Sequence, residues 1–271
     1  MNKKPTISAH CIVKNEERFV WYAIQSVIDS VDEVLVYDTG STDKTVEIIQ
    51  TIQSPKLLFE QKGPADPARH TRLRQEMLER TKTDWVLILD GDEIWPGEQI
   101  KKLRAEIENT DKSIGIVKVY GCVGDIYHYS RRIKYSYPWG LEGPYAMRLF
   151  RSTQRLKWDA PYGRDTLLTL NGNPAVKQEN CLVSDAYYLH CSALIRSGKD
   201  EEIFHRLKKR REFYVPFFHR SFSNRQPPAL PEVFFSEQRP AAVKELTQFL
   251  PFMRAAANLF KHLAKKVLPC T

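Results

Sequence analysis

The 271-residue sequence contains no run approaching the roughly 20 uninterrupted apolar residues that a membrane-spanning helix requires. Its first residues, Met1-Asn2-Lys3-Lys4-Pro5, lack the apolar core of a secretory signal and lead into a strand-like segment, so the chain is expected on the cytoplasmic side. Five cysteines (Cys11, Cys122, Cys181, Cys191, Cys270) are scattered without a C-x-x-C pair. Such an odd, dispersed set argues against a disulfide framework or a zinc centre and for isolated reduced thiols near the core. Internal repeats and low-complexity tracts are absent as well. With 42% hydrophobic and 27% charged residues, what remains is an ordinary globular composition, long enough for one large α/β domain or two small ones. The net charge of +8 favours anionic partners, whether nucleoside diphosphates, nucleic acid or acidic lipid headgroups, and does not choose among them.

What is present is an alternation of strand and helix signals through the first half, the pattern of a mainly parallel, doubly wound sheet. Residues 6–13 read as a first strand and residues 19–30 as a helix with Val20, Ile24, Val27 and Ile28 on one face. Residues 33–37 form a second strand, ended by the turn Asp38-Thr39-Gly40-Ser41. Ser41 or Thr42 can cap a second helix running through Gln53. A third strand is expected at 56–60 and a third helix at 67–80, opened by proline in a tolerated position. Trp85-Val86-Leu87-Ile88-Leu89 is apolar without alternation, as in a central strand covered on both faces. A helix follows at 98–108, then strands near 114–120, 127–135, 146–150 and 183–190. A basic helix over 199–213, a proline-rich connector over 225–240 and a final helix over about 241–268 complete the reading.

The central strand stops abruptly at Asp90-Gly91-Asp92-Glu93. On an extended backbone residues i and i+2 project to the same side, so Asp90 and Asp92 are expected to face one crevice at the carboxyl end of the sheet. Gly91 between them allows another group to approach the backbone closely. Carboxylates meeting there without histidine or cysteine neighbours suit Mg2+ or Mn2+ shared with substrate phosphates. A solvated acidic turn is the alternative, and it leaves the concentration of charge beside an apolar strand without a purpose.

Four motifs in order resemble family 2 glycosyltransferases with the GT-A fold, over residues 6–98. Ile12-Val13-Lys14-Asn15-Glu16 is similar to the end of that family's first strand. Asp38-Thr39-Gly40-Ser41-Thr42-Asp43-Lys44-Thr45 is similar to its D-x-G-S-x-D-x-T turn. Arg74-Gln75 resembles an Arg-Asn pair on the helix before the metal strand, with Gln75 departing from asparagine. Asp90-Gly91-Asp92 resembles its D-x-D motif. The resemblance implies a GT-A domain over 1–198, with a nucleotide-sugar half at 1–98 and an acceptor half at 99–198, followed by a helical extension at 199–271. It implies that Asp38 recognises the nucleobase beside the backbone of Val13 and Asn15, and that Asp90 holds the ribose or supports the metal shell. It further implies that Asp92 ligates the Mn2+ or Mg2+ bridging the donor's phosphates, and that Arg74 helps position the diphosphate or supports the carboxylates. Taken alone, Asp38 is equally a turn former, Asp43 a helix-cap charge, and Arg74 a solvated helical charge.

The implied reaction moves a sugar from a nucleotide-sugar donor, a UDP-sugar by resemblance, to an acceptor hydroxyl with inversion. Leaving-group charge is stabilised electrostatically while a carboxylate removes the acceptor proton. Related enzymes carry an Arg-Leu-Phe-Arg strand, a tryptophan and then an acidic pair. Arg148-Leu149-Phe150-Arg151, Trp158 and Arg164-Asp165 match that order, which makes Asp165 the candidate base, with Asp159 and Glu142 as alternatives. His190 ends a strand-like run, where similar enzymes complete the metal or diphosphate site; a structural histidine is the other reading. Tyr137 and Trp139, within 136–142, either line an acceptor pocket or anchor a loop. The basic cluster at Arg206, Lys208, Lys209, Arg210 and Arg211 is by default a charged helix face. The last helix is basic and amphipathic, so it can rest on the inner face of an anionic membrane, where a lipid-linked or other saccharide acceptor is met, or pack on the body of the protein.

Rival classes fit less well. Sugar-1-phosphate nucleotidyltransferases need a glycine-rich phosphate loop after the first strand, and Cys11-Ile12-Val13-Lys14-Asn15-Glu16-Glu17-Arg18 has no glycine. A nucleic-acid-binding protein accounts for the charge but not for the acidic cluster, and the basic residues lack the aromatic interleaving of a single-strand groove. No nucleic-acid partner is therefore expected. A relative that binds sugar nucleotides without transferring them is the remaining alternative.

Overall fold

The computed structural model describes residues 4–123, 125–130, 135–152, 156–159, 161, 166–194, 196–197, 222–223 and 229–247. Strand β1 (Ile7–Val13), helix α1 (Val20–Ile28), strand β2 (Glu33–Asp38), helix α2 (Thr45–Gln50), strand β3 (Leu57–Gln61), helix α3 (Pro67–Arg80) and strand β4 (Trp85–Asp90) follow the expected alternation. Strand β5 (Glu93–Ile94) and helix α4 (Gly97–Glu108) come next. They precede β6 (Ile114–Val123), β7 (Asp125–Ser130), β8 (Tyr135–Ser136), β9 (Glu142–Gly143), β10 (Tyr145–Arg151), β11 (Leu156–Asp159), β12 (Thr166–Thr169), β13 (Cys181–His190) and β14 (Phe222–Ser223). The main sheet has ten strands in the order β14-β7-β6-β10-β4-β1-β2-β3, with β13 joining β6 to β5. Strands β3, β2, β1 and β4 are mutually parallel, and β10 enters antiparallel beside β4.

Alternation along each strand divides the core between the two faces of the sheet. Ala9, Cys11 and Val13 of β1, with Leu87 and Leu89 of β4, pack into the cluster that contains α1 and α4. Val86 and Ile88 pack into a second cluster with Ile114, Ile116 and Phe150. The apolar run of β4 is thus covered on both sides, as its sequence requires. Helix α3 starts where proline and a cap coincide. Pro67 opens it, and the Asp66 side chain accepts the Arg69 amide at 2.6 Å.

Helix α2 is shorter than expected. Ser41 and Thr42 do not cap it, because both are committed to the end of β1. Ser41 Oγ accepts the Asn15 amide at 2.9 Å, and the Thr42 amide donates to Asn15 Oδ1 at 2.8 Å. Asp43 takes the capping part instead, accepting the Thr45 amide at 3.0 Å and its hydroxyl at 2.6 Å. The β11–β12 hairpin was not foreseen; its strands are four residues each, too short for a periodic signal.

The chain after 229 is not a free connector. Phe234 is buried against Tyr22 of α1, and Val243 joins the main cluster. Residues 241–247 form a turn and irregular backbone where a helix start was expected. Their carbonyls accept from side chains of the body: Lys244 from Tyr22 Oη at 3.0 Å, Thr247 from Tyr127 Oη at 2.8 Å, and Val243 from Arg239. The rest of the expected final helix and the basic segment of 199–213 lie outside the described residues.

Candidate active site

The carboxyl ends of β1, β2 and β4 meet along one edge of the sheet, with Ile12 paired to Asp90 and Val13 to Asp38. Strand β4 ends at Asp90, and residues 91–92 form a tight turn before β5. Gly91 is necessary there. A Cβ on it would lie 2.9 Å from Val13 Cγ1 and 3.0 Å from Glu16 Cγ. Asp92 lies just beyond the extended backbone of β4, and the two carboxylates take different partners.

Asp90 is half-buried and lies 3.4 Å from the Arg148 guanidinium. Arg148 also donates to Glu93, which is fully buried, and Glu93 Oε2 accepts the Asp90 amide at 3.3 Å. Behind this pair Arg148 sits over the Tyr188 ring at 5.2 Å, and Tyr188 stacks on Trp95 at 5.0 Å. Burial pushes the Glu93 carboxyl up to about 7, more than the neighbouring Arg148 brings it down. Asp92 is 4% exposed. Its carboxylate lies 3.5 Å from His190 Nε2 and 3.8 Å from Arg196 Nε, and its carbonyl accepts the Cys191 amide at 2.8 Å. Burial lowers the affinity of His190 for its proton, but Asp92, with Glu93 and Asp90 behind it, outweighs burial and holds the pKa above the ordinary value. Arg196 also pairs with Glu16, which ties the segment after β13 to the loop after β1.

Asp38 is buried at the end of β2, with its carboxylate accepting the Gly40 amide at 3.0 Å and the Ser41 amide at 3.1 Å. Val13 accepts both the amide and the hydroxyl of Thr39 at 2.9 Å on its carbonyl. Asn15 adopts a left-handed backbone, φ 55°, which asparagine tolerates better than most residues. The structure therefore brings Val13, Asn15 and Asp38 together, in a loop whose polar groups bond largely to one another. Arg74 lies over the Trp158 ring at 4.9 Å. Gln75 has a definite part, accepting the Trp158 amide at 3.0 Å and docking β11 on α3. Between α3 and the sheet lies a small cleft with an internal volume of about 20 Å3, lined by His10, Ile12, Arg74, Asp90, Phe150 and Trp158 among others.

Of the base candidates, Asp165 lies outside the described residues, in the connection between Asp159 and Thr166. Asp159 is exposed at the end of β11, one residue past Trp158, and Glu142 is exposed on β9. Tyr137 and Trp139 pack on the second core cluster, and the Tyr137 hydroxyl donates to the Tyr145 carbonyl at 3.3 Å, so they anchor their loop. Arg148, Glu93, Glu16, Arg196 and His10 were not assigned roles from sequence. The signals were a glutamate directly after D-x-D, an arginine opening Arg-Leu-Phe-Arg, and a histidine inside an apolar strand.

Asp92 with His190 offers one carboxylate and one imidazole to a cation. Among the described residues no three His, Cys, Asp or Glu side chains close into a metal-holding group. The donor set fits a divalent ion that takes its remaining ligands from phosphate and water, and it does not fit an all-protein cage.

Comparisons with known proteins agree with this geometry. A glycosyltransferase of Rickettsia bellii, itself uncharacterised, is 38% identical over 104 residues, which is 38% of this chain and 31% of that protein. The SPbeta prophage-derived glycosyltransferase SunS of Bacillus subtilis is 29% identical over 99 residues, 36% of this chain and 23% of its own length. The matches thus span about a third or less of these relatives. Staphylococcus aureus TarS 1-349, solved in complex with UDP-GlcNAc, superposes with a TM-score of 0.50 at 16% identity, covering 81% of this chain and 68% of that one, a likeness of fold. Residues 8–167 match the model of glycosyl transferase family 2. That match takes in more than half of the sequence, both acidic strand ends and the cleft, and the chain belongs to glycosyl transferase family 2.

Proposed function

We propose that the chain transfers a sugar from a nucleoside-diphosphate sugar to an acceptor hydroxyl, with inversion, using Mn2+ or Mg2+. The observation that carries the reading is the buried acidic turn at the end of β4. Asp92 is held against His190, Asp90 against Arg148, and a cleft lined by Arg74 opens beside Asp90. Concentrating Glu16, Asp90, Asp92 and Glu93 at the edge of an apolar sheet is costly unless cations complete the site.

A divalent ion held by Asp92 and His190 supplies Lewis-acid stabilisation of the departing diphosphate. The protein's own groups do the rest. Arg74 and Arg148 place fixed positive charge beside the cleft and the acidic turn, where no reorganisation is needed as negative charge develops. The half-buried Asp90 carboxylate, at the mouth of the cleft, orients the donor's ribose. The base that removes the acceptor proton is Asp165, the part that family resemblance gives it. Family kinship supports inversion in one step, with no covalent enzyme intermediate. A saccharide or lipid-linked acceptor in cell-surface glycan synthesis, met from the cytoplasmic side, suits this chemistry. No helix among the described residues is long and apolar enough to cross a membrane.

The test is donor turnover. Wild-type protein with Mn2+ and a panel of nucleotide sugars is expected to release nucleoside diphosphate, faster with acceptor. Asp92→Ala, checked for folding by circular dichroism, is expected to lose this by more than about a hundredfold, given that removing one charge-stabilising group commonly costs 10²–10³ in rate. Undiminished release by Asp92→Ala, or by wild type in excess chelator, refutes the proposal.

A further inference from the structure

Glu16 and Arg196 stand beside the acidic turn with no assigned part in the proposed chemistry. Glu16 is 3% exposed, and its backbone is fixed on both sides. Its amide donates to Thr45 Oγ1 at 2.8 Å, and its carbonyl accepts the Val20 amide at 2.9 Å. Its side chain leans on the turn itself, since a Cβ on Gly91 would lie 3.0 Å from Glu16 Cγ. Arg196 reaches the same place from the segment after β13. Its carbonyl accepts the Arg18 amide at 3.1 Å, and the neighbouring Ser197 hydroxyl donates to Glu17 Oε1 at 3.2 Å. The guanidinium so placed meets two carboxylates: it is ion-paired with Glu16 through Nη1 and lies 3.8 Å from Asp92 through Nε.

That arrangement bears on how firmly Asp92 can hold a divalent ion. Asp92 and Glu16 are both buried, so solvent and salt screen their neighbours poorly. An ion ligated by Asp92 and the guanidinium of Arg196 draw on one carboxylate and repel each other. Glu16 offsets that repulsion, because it keeps Arg196 paired when Asp92 turns to the ion. The contacts already divide this way, the close one to Glu16 and the longer one to Asp92. Without Arg196, two buried carboxylates would flank the turn with less compensation, which burial penalises. The arginine thus supports the acidic turn by itself and, for the same reason, weakens the hold on a metal.

We propose that Arg196 is a built-in competitor of the metal at Asp92, and that Glu16, by holding Arg196, sets how strongly the ion binds. Both are positioning residues. This rests on the proposed function, since it takes Asp92 to be a metal ligand.

Binding of Mn2+ alone to the full chain, followed by electron paramagnetic resonance at fixed pH and ionic strength, tests it. Arg196→Gln is expected to bind Mn2+ about tenfold more tightly than wild type, and Glu16→Gln about tenfold more weakly, as suits one unit charge near a divalent ion in a poorly screened site. Arg196→Lys, which keeps the charge, and the double variant Arg196→Gln with Glu16→Gln, in which the two changes oppose, are expected to stay close to wild type. Lost packing would weaken binding in every variant, so the opposite signs separate charge from structure. If Arg196→Gln does not fold with Glu16 left unpaired, Glu16→Gln and the double variant make the same comparison, binding weakened in the first and restored in the second. No Mn2+ bound by any of these proteins overturns the proposed metal site, and this inference with it. Mn2+ bound no more tightly by Arg196→Gln, or no more weakly by Glu16→Gln, overturns the part given to this pair alone.

Discussion

Acid should destabilise this protein through His10, independently of any ligand. The ring's pKa falls from 6.5 to about 3 on folding, chiefly by burial and secondarily through Arg74. The neutral form is therefore favoured in the folded state, and below the ordinary histidine value the unfolded chain binds a proton that the folded chain refuses. Stability is complete above about pH 6.5 and falls as pH drops towards 3. At 1.36 kcal/mol per unit, the loss from this residue is about 2 kcal/mol at pH 5 and about 4 kcal/mol near pH 3.5. That is a large part of the roughly 5–15 kcal/mol that holds a domain together. Urea unfolding of wild type and His10→Phe at pH 7 and pH 5 isolates the effect, because the carboxylates titrate alike in both. The variant should give up about 1 kcal/mol at both pH values for the lost Thr81 hydrogen bond, and its stability should fall about 2 kcal/mol less on acidification. Parallel pH dependences for the two proteins would refute the buried neutral ring.

Arg148→Met should cost about 3–5 kcal/mol in chemical denaturation, because it leaves the fully buried Glu93 without its cation, and Arg148→Met with Glu93→Gln should recover part of that loss. Gly91→Ala should destabilise by about 1–3 kcal/mol, since its methyl meets Val13 at 2.9 Å, and calorimetry would detect the lowered Tm. Asp92→Ala should abolish protein-bound Mn2+ in electron paramagnetic resonance titrations, and should lower Tm in metal-free buffer because it leaves His190 and Arg196 without their buried carboxylate. Gln75→Ala should leave the Trp158 amide without its acceptor and loosen β11 from α3 at a cost of about 1 kcal/mol, read as faster amide exchange at Trp158.

Local chemistry made much of the fold legible in advance. Helix α3 could be placed at residues 67–80 because proline at a first helical position is a signal local to the sequence. The β4 strand announced its burial because five consecutive apolar side chains leave neither face for water. The Asp-Gly-Asp-Glu stop beyond it marked the site, since charge beside such a strand demands partners. Ser41 and Thr42 misled for the opposite reason. As residue types they cap helices, but Asn15, 26 and 27 positions away, claims them first.

What tertiary structure alone decided is which partner each polar group obtains. Nothing near Glu93 in sequence indicates Arg148, 55 positions on, while His190, which reaches Asp92 across a strand pairing, was expected at the site only through family resemblance and not from any local signal. The separate partners of Asp90 and Asp92, Arg148 and His190, come from the distant strands β10 and β13. His10 takes its hydrogen-bond partner, Thr81, from 71 residues away. Periodicity and caps are short-range properties and can be read along the chain. Hydrogen-bond partners, burial and proton positions are set by long-range packing, and they exist only once the sheet has brought those residues together.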